Sequence, residues 1–113
     1  MKYMLLIYTA PGSATEPQCT IEEWEQFGKD MKDAGVWVSG DALADLTSRT
    51  TVRVSGGERT VTDGPFAETR EILGGYEVID VPDLDVALDW AARCPGARDG
   101  GSVEVRPLAE YEN

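Results

Sequence analysis

A chain of 113 residues with 42% hydrophobic side chains has the size of one domain, which excludes a catalytic cleft between two large domains and excludes intrinsic disorder. Ten basic against 21 acidic side chains leave a net charge of −11, a field that repels phosphate backbones and anionic lipid and argues against nucleic-acid and membrane partners. The chain has no histidine, which removes Ser-His-Asp and Cys-His nucleophile pairs, imidazole bases and most zinc sites.

Residues 3–8 are apolar on both alternating faces, Tyr3, Leu5 and Ile7 on one and Met4, Leu6 and Tyr8 on the other. That is the pattern of a central strand covered on both sides. Pro11-Gly12-Ser13-Ala14 reads as a loop. Thr20-Ile21-Glu22-Glu23 fits a capping box, and Ile21, Trp24, Phe27, Met31 and Ala34 then recur at helical spacing up to Gly35. The first predicted helix is therefore 21–34. A short strand, 36–39, ends at Gly40, and 41–49 reads as a connection.

Residues 51–54 and 59–62 alternate around Ser55-Gly56-Gly57-Glu58, which predicts a hairpin that Asp63-Gly64-Pro65 terminates. The next strand is 73–81, where Gly74-Gly75 marks a bulge or a close backbone approach. A second helix opens near Pro82-Asp83, with Leu84, Ala87, Leu88 and Ala91 as its apolar stripe, and Pro95-Gly96 ends it. The last strand is 102–106, stopped by Pro107.

This order predicts an α+β domain, a ferredoxin-like βαββαβ sheet with an extra hairpin and both helices on one face. The domain spans 1–113, with a core of about 1–108 and an acidic tail, 109–113. Two helices cover one face, yet the first strand is apolar on both. The economical cover for the second face is another copy, sheet against sheet, so a homodimer is expected. Cys19 and Cys94 lack CxxC spacing and read as free thiols of a reducing compartment. The longest apolar run is too short for a signal peptide or a membrane span, so a cytoplasmic protein is expected. No metal site or cofactor is expected from any motif in the chain.

Candidate chemistry concentrates in two places. Asp63-Gly64-Pro65-Phe66-Ala67-Glu68-Thr69-Arg70-Glu71 combines three carboxylates, a guanidinium, a rigid turn and an aromatic ring. Asp63 is the candidate acid or base, with Phe66 and Glu68 as ligand contacts. The same residues also fit an ordinary turn beside a solvated face. In the last strand, Val103 and Val105 alternate with Glu104 and Arg106. If the valines meet the helices, Glu104 and Arg106 enter the intersheet space, paired with one another or binding an anionic or phenolic ligand. Only one of Tyr3 and Tyr8 can line that space, and Tyr8 is the candidate. Asp33 opposes the dipole at the end of the first helix, a small cost that fits a surface residue or a second catalytic carboxylate.

Residues 1–8, the stretch VTDGPFAETREILGGY and the closing GSVEVRPL together resemble the YCII-related (YciI-like) family, and within it the DGPF-domain branch. The resemblance runs from about residue 1 to 108. It implies a ferredoxin-like fold paired into a dimeric α/β barrel. Most members of the branch have no assigned reaction, but some YciI-like relatives are regarded as candidate enzymes with a His–Asp pair in the intersheet cleft, and a dehydrochlorinase of chlorinated hydroquinones is similar to them. By position Asp33 matches the acidic partner, but the histidine is missing, and Asp99-Gly100 stands where branch members often carry another. DGPF proteins are also linked to extracytoplasmic-function sigma factors. The expected function is therefore binding of an unknown small molecule between the sheets, with a regulatory link to a sigma factor. The alternative is a lyase-like or isomerase-like enzyme on a small polar or aromatic substrate, with a carboxylate base (Asp63, Glu68 or Asp33) and Arg106 as the oxyanion partner.

Overall fold

The computed structural model describes residues 1–9, 20–44, 49–63, 71–98 and 100–110. Among the described residues, six strands and two helices follow in the order β1 (Lys2–Thr9), α1 (Ile21–Asp33), β2 (Trp37–Ala42), β3 (Thr50–Ser55), β4 (Glu58–Asp63), β5 (Ile72–Asp80), α2 (Leu84–Arg93) and β6 (Ser102–Pro107), with a 3-10 turn at Pro95–Ala97. Four strands form one antiparallel sheet in the order β2-β5-β1-β6. With the two helices this is an α+β arrangement compatible with a ferredoxin-like fold. The remaining two strands, β3 and β4, form a separate sheet of their own.

Local chemistry explains where these elements start and stop. At the start of α1, the Glu23 N–H donates to Thr20 Oγ1 at 3.2 Å and the Thr20 N–H donates to Glu23 Oε2 at 3.1 Å. These reciprocal bonds satisfy two of the free donors at the helix start. At the other end Gly35 adopts φ 73°, the Gly35 N–H donates to Lys32 O at 3.0 Å and the Val36 N–H to Met31 O at 3.1 Å. That is a Schellman motif, and it turns the chain into β2. Asp83 caps α2 by accepting from the Val86 N–H at 3.0 Å.

The β3–β4 hairpin is two-residue, with Gly56 at φ 58° and Gly57 at φ 82° between the paired Ser55 and Glu58. Positive φ at both central residues gives the turn whose twist matches the flanking strands. Val52 lies opposite Val61, Val54 shares their face, and all three are exposed.

The core lies between the sheet and the helices. Tyr3, Leu5 and Ile7 of β1 meet Phe27 and Met31 of α1, Ile79 of β5, and Ala87, Trp90 and Ala91 of α2. Val103 and Val105 of β6 pack against the same cluster, as expected. Cys94 is buried in this core, while Cys19 lies outside the described residues.

Two predicted features differ. The buried stripe of α2 is Ala87, Trp90 and Ala91, with Val86 beside it, whereas Leu84 and Leu88 are each 47% exposed. The Trp90 ring packs 6.4 Å from that of Phe27. Burying an indole removes more apolar area than burying a leucine, so Trp90 sets the rotation of the helix. Also, β2 runs through Gly40 to Ala42 rather than stopping at it. A Cβ at Gly40 would overlap Glu77 Oε2 and lie 2.8 Å from Tyr76 O, so this glycine makes room inside the sheet instead of ending a strand.

Both expectations for Gly74-Gly75 hold. The β1–β5 register passes from Ile7↔Gly75 to Tyr8↔Leu73, leaving Gly74 as a bulge. A Cβ on Gly75 would lie 3.0 Å from Asp41 O.

Candidate functional site

The four-stranded sheet has two faces of unlike chemistry, and the predicted site residues divide between them. On the face away from the helices, β1 presents Met4, Leu6 and Tyr8, all half-buried. Their partners across β6 are Arg106, Glu104 and Ser102. Tyr8 Oη donates to Glu104 Oε2 at 3.3 Å, a long bond that leaves the carboxylate able to accept a better donor. Partial burial first, then the Glu104 charge, pushes the Tyr8 hydroxyl to a higher pKa. Arg106 is exposed and forms no ion pair among the described residues. Ser102 Oγ donates to Glu71 Oε1 at 3.0 Å at the top of the same row.

A second tyrosine–carboxylate pair lies across the sheet. Tyr76 stands opposite Leu6 on β5 and opposite Asp41 on β2. Its hydroxyl donates to Asp41 Oδ2 at 3.3 Å, and that bond, followed by the Asp41 charge, raises its pKa. The face away from the helices thus carries an apolar centre of Met4, Leu6 and Val78 between two phenol–carboxylate pairs.

Asp33 lies on the helix side, so the sheet separates it from Tyr8, Glu104 and Arg106 of the same chain. It accepts from Lys29 Nζ at 2.6 Å, with both side chains about two-thirds exposed (66% and 64%). Asp63 ends β4 in the separate hairpin and accepts from Thr50 Oγ1 at 3.1 Å. Phe66 and Glu68, with the rest of Gly64 to Arg70, lie outside the described residues. The structure therefore gathers Tyr8, Glu104 and Arg106 in one row and joins neither Asp33 nor Asp63 to it.

The helix-covered face contains a residue the sequence analysis passed over. Glu77 stands opposite Leu5 and in phase with buried Ile79. The Trp37 Nε1–H donates to Glu77 Oε2 at 2.7 Å. Desolvation is the largest influence on this carboxyl and raises its pKa, opposed by the Trp37 bond and the Lys32 charge, while the Asp41 charge also raises it. The signal was available, because Glu77 holds a core-phase position in strand 73–81. It was obscured because Tyr76 and Val78 make the opposite phase equally apolar.

A family model described as the YCII-related domain matches residues 1–112. The chain is also 38% identical over 118 residues to an uncharacterized protein of Rhizobium meliloti (strain 1021), covering 99% of this chain and 95% of that protein. Among the described residues, no helix is long and apolar enough to cross a membrane.

Proposed function

The chain belongs to the YCII-related family, and we propose that it works in the cytoplasm as a homodimer that holds a small molecule between two facing sheets. On this reading it belongs to the DGPF branch, which its Asp63-Gly64-Pro65-Phe66 motif supports. The observation that carries the proposal is the sheet face away from the helices, which no helix or strand covers among the described residues. An apolar strip of half-buried Met4 and Leu6 beside buried Val78 is flanked by Tyr8–Glu104 and Tyr76–Asp41, with the Arg106 guanidinium, which forms no ion pair among the described residues, at its edge. A second copy laid on this strip buries it and encloses hydroxyl, carboxylate and guanidinium groups in one cleft. In that cleft Arg106 takes an anionic or phenolic group and Glu104 accepts a donor. The exposed valine face of the hairpin, Val52, Val54 and Val61, offers each copy an arm for the other.

Binding is preferred to catalysis because neither Asp33 nor Asp63 stands beside Arg106 within the chain. The regulatory part of the proposal, contact with an extracytoplasmic-function sigma factor, rests on the family resemblance alone. Native mass spectrometry of protein purified gently from its own cells tests the binding part. The expected result is a dimer with a reproducible extra mass that Arg106→Met loses while remaining dimeric. A monomer at micromolar concentration, or the same extra mass on Arg106→Met, overturns it. A pull-down with a known sigma-factor pair as positive control tests the regulatory part, and absence of the sigma factor removes it.

A further inference from the structure

The opposite side of the sheet carries a separate cavity of about 360 Å³. It lies between α1 and the β1–β5–β2 strands, with Ile7, Trp24, Gly74, Gly75 and Glu77 in its walls. Its volume falls in the range of small-ligand sites. Three features set it apart from ordinary core.

First, Glu77 breaks the rule of its row. Its neighbours on this face are Leu5 and Ile79, both fully buried. Placing a carboxylate there costs desolvation, and one indole donor offsets only part of it. The bond from Trp37 reaches Oε2, and Oε1 has no hydrogen-bond partner among the described residues. Second, space is cleared around this carboxylate. Any side chain at Gly40 would overlap Oε2, and Gly74 and Gly75 leave the cavity wall as bare backbone. Third, no cation among the described residues is paired with this carboxylate. Lys32 lowers and Asp41 adds to the negative potential at Glu77, within a chain that carries −11. Lys32 lies over the Trp37 ring at 4.9 Å from its centroid and forms no ion pair with Glu77.

We propose that this cavity is a second binding site, for a small organic ammonium ion whose apolar body lies against Ile7 and Trp24 and whose N–H donates to the Glu77 carboxylate. A carboxylate with an unfilled oxygen beside an apolar wall selects a cationic donor over a neutral one, because charge-assisted hydrogen bonds are roughly twice as strong as neutral ones. An anion is rejected by the same charge. The cavity also touches Asp41 and Tyr76, which flank the open face, but Ile7, Trp24 and Glu77 belong to the helix side, and the site does not depend on dimerisation.

The probe is benzylamine, which is an ammonium ion near neutral pH, with benzyl alcohol and benzoate as neutral and anionic controls. Titration is followed by tryptophan fluorescence and by amide and indole NMR shifts, at about 0.15 M salt, where the general field of the protein is screened beyond roughly 8 Å. Saturable binding of benzylamine alone is expected, with shifts at Gly40, Gly74, Gly75 and the Trp37 indole. Glu77→Gln keeps an acceptor for Trp37 and is expected to weaken binding roughly tenfold or more. Arg106→Met is expected to bind as the wild type does. The shift map keeps the test decisive even if Glu77→Gln does not fold. Absence of saturable binding, equal binding of benzyl alcohol, shifts confined to β6, or unchanged affinity in folded Glu77→Gln each overturns the proposal. None of these outcomes bears on the intersheet cleft, which Arg106→Met and the native mass measurement address separately.

Discussion

The two faces of β1 use nearly the same residue types for opposite ends. Tyr3, Leu5 and Ile7 are buried under the helices, while Met4, Leu6 and Tyr8, one step out of phase, remain half-buried on the face away from the helices. On the covered face a charged group is the exception, and Glu77 is that exception. On the open face polar groups are ordinary, and the apolar strip between them is what needs explaining. Burial thus changes which residue carries information. A carboxylate is informative where solvent is excluded, and a leucine is informative where it is not.

The sharpest way to break this comparison is to truncate matched residues on the two faces. Leu5→Ala removes a fully buried side chain and is expected to cost about 2–5 kcal/mol in denaturant unfolding. Leu6→Ala in an isolated chain removes a half-buried side chain and should cost clearly less. If a second copy covers the open face, the Leu6→Ala penalty grows with protein concentration, because dimerisation stabilises only the folded state. Equal, concentration-independent penalties for the two variants would mean that the faces do not differ as described. A small Leu6→Ala penalty at every concentration would remove the sheet-to-sheet dimer.

The next effect sharpens the account of the covered face. Gly40→Ala puts a methyl group where Glu77 Oε2 lies and 2.8 Å from Tyr76 O. The carboxylate can swing away, but the backbone oxygen cannot. Overpacking of this kind costs about 1–3 kcal/mol. Combining it with Glu77→Ala, which removes the carboxylate, tests the assignment of the clash. The penalty should persist in the double variant where the backbone contact dominates, and shrink where the carboxylate does. A neutral Gly40→Ala would show that the strand does not need its glycine.

Much of the fold could be read from residues with an unambiguous local mechanism. Thr20 with Glu23, Gly56-Gly57 between alternating segments, and the doubled apolar phases of β1 each specify one geometry. What escaped was set by competition between distant parts. The rotation of α2 depends on whether Trp90 or Leu88 wins the interior, and that is decided by Phe27 on another helix. Gly40 looked like a strand end because the side chain that fills its missing Cβ belongs to β5, far along the chain.

The site shows the same division. Glu104 and Arg106 could be assigned to the open face because Val103 and Val105 fixed the phase of β6. Glu77 could not, because both phases of β5 are apolar and only the sheet register says which one meets the helices.

The smallest effect concerns the charge of Glu77 and isolates it from packing. Its pKa is raised from an ordinary 4.5, mainly by desolvation. The folded protein therefore holds the Glu77 proton at pH values where the unfolded chain has released it. The stabilisation linked to that proton is complete below about pH 4.5 and is lost as pH rises through the raised native value. Lys32 from α1 and the Trp37 N–H limit the loss, and Asp41 from β2 adds to it. Glu77→Gln has no proton to lose and keeps an acceptor for Trp37. The melting temperature of the variant relative to wild type is therefore expected to climb with pH above 4.5 and to level off above the native value. Titration of the other carboxylates, common to both proteins, cancels in the difference. A difference independent of pH would mean that Glu77 is solvated like a surface residue, and the contrast between the two faces would then rest on packing alone.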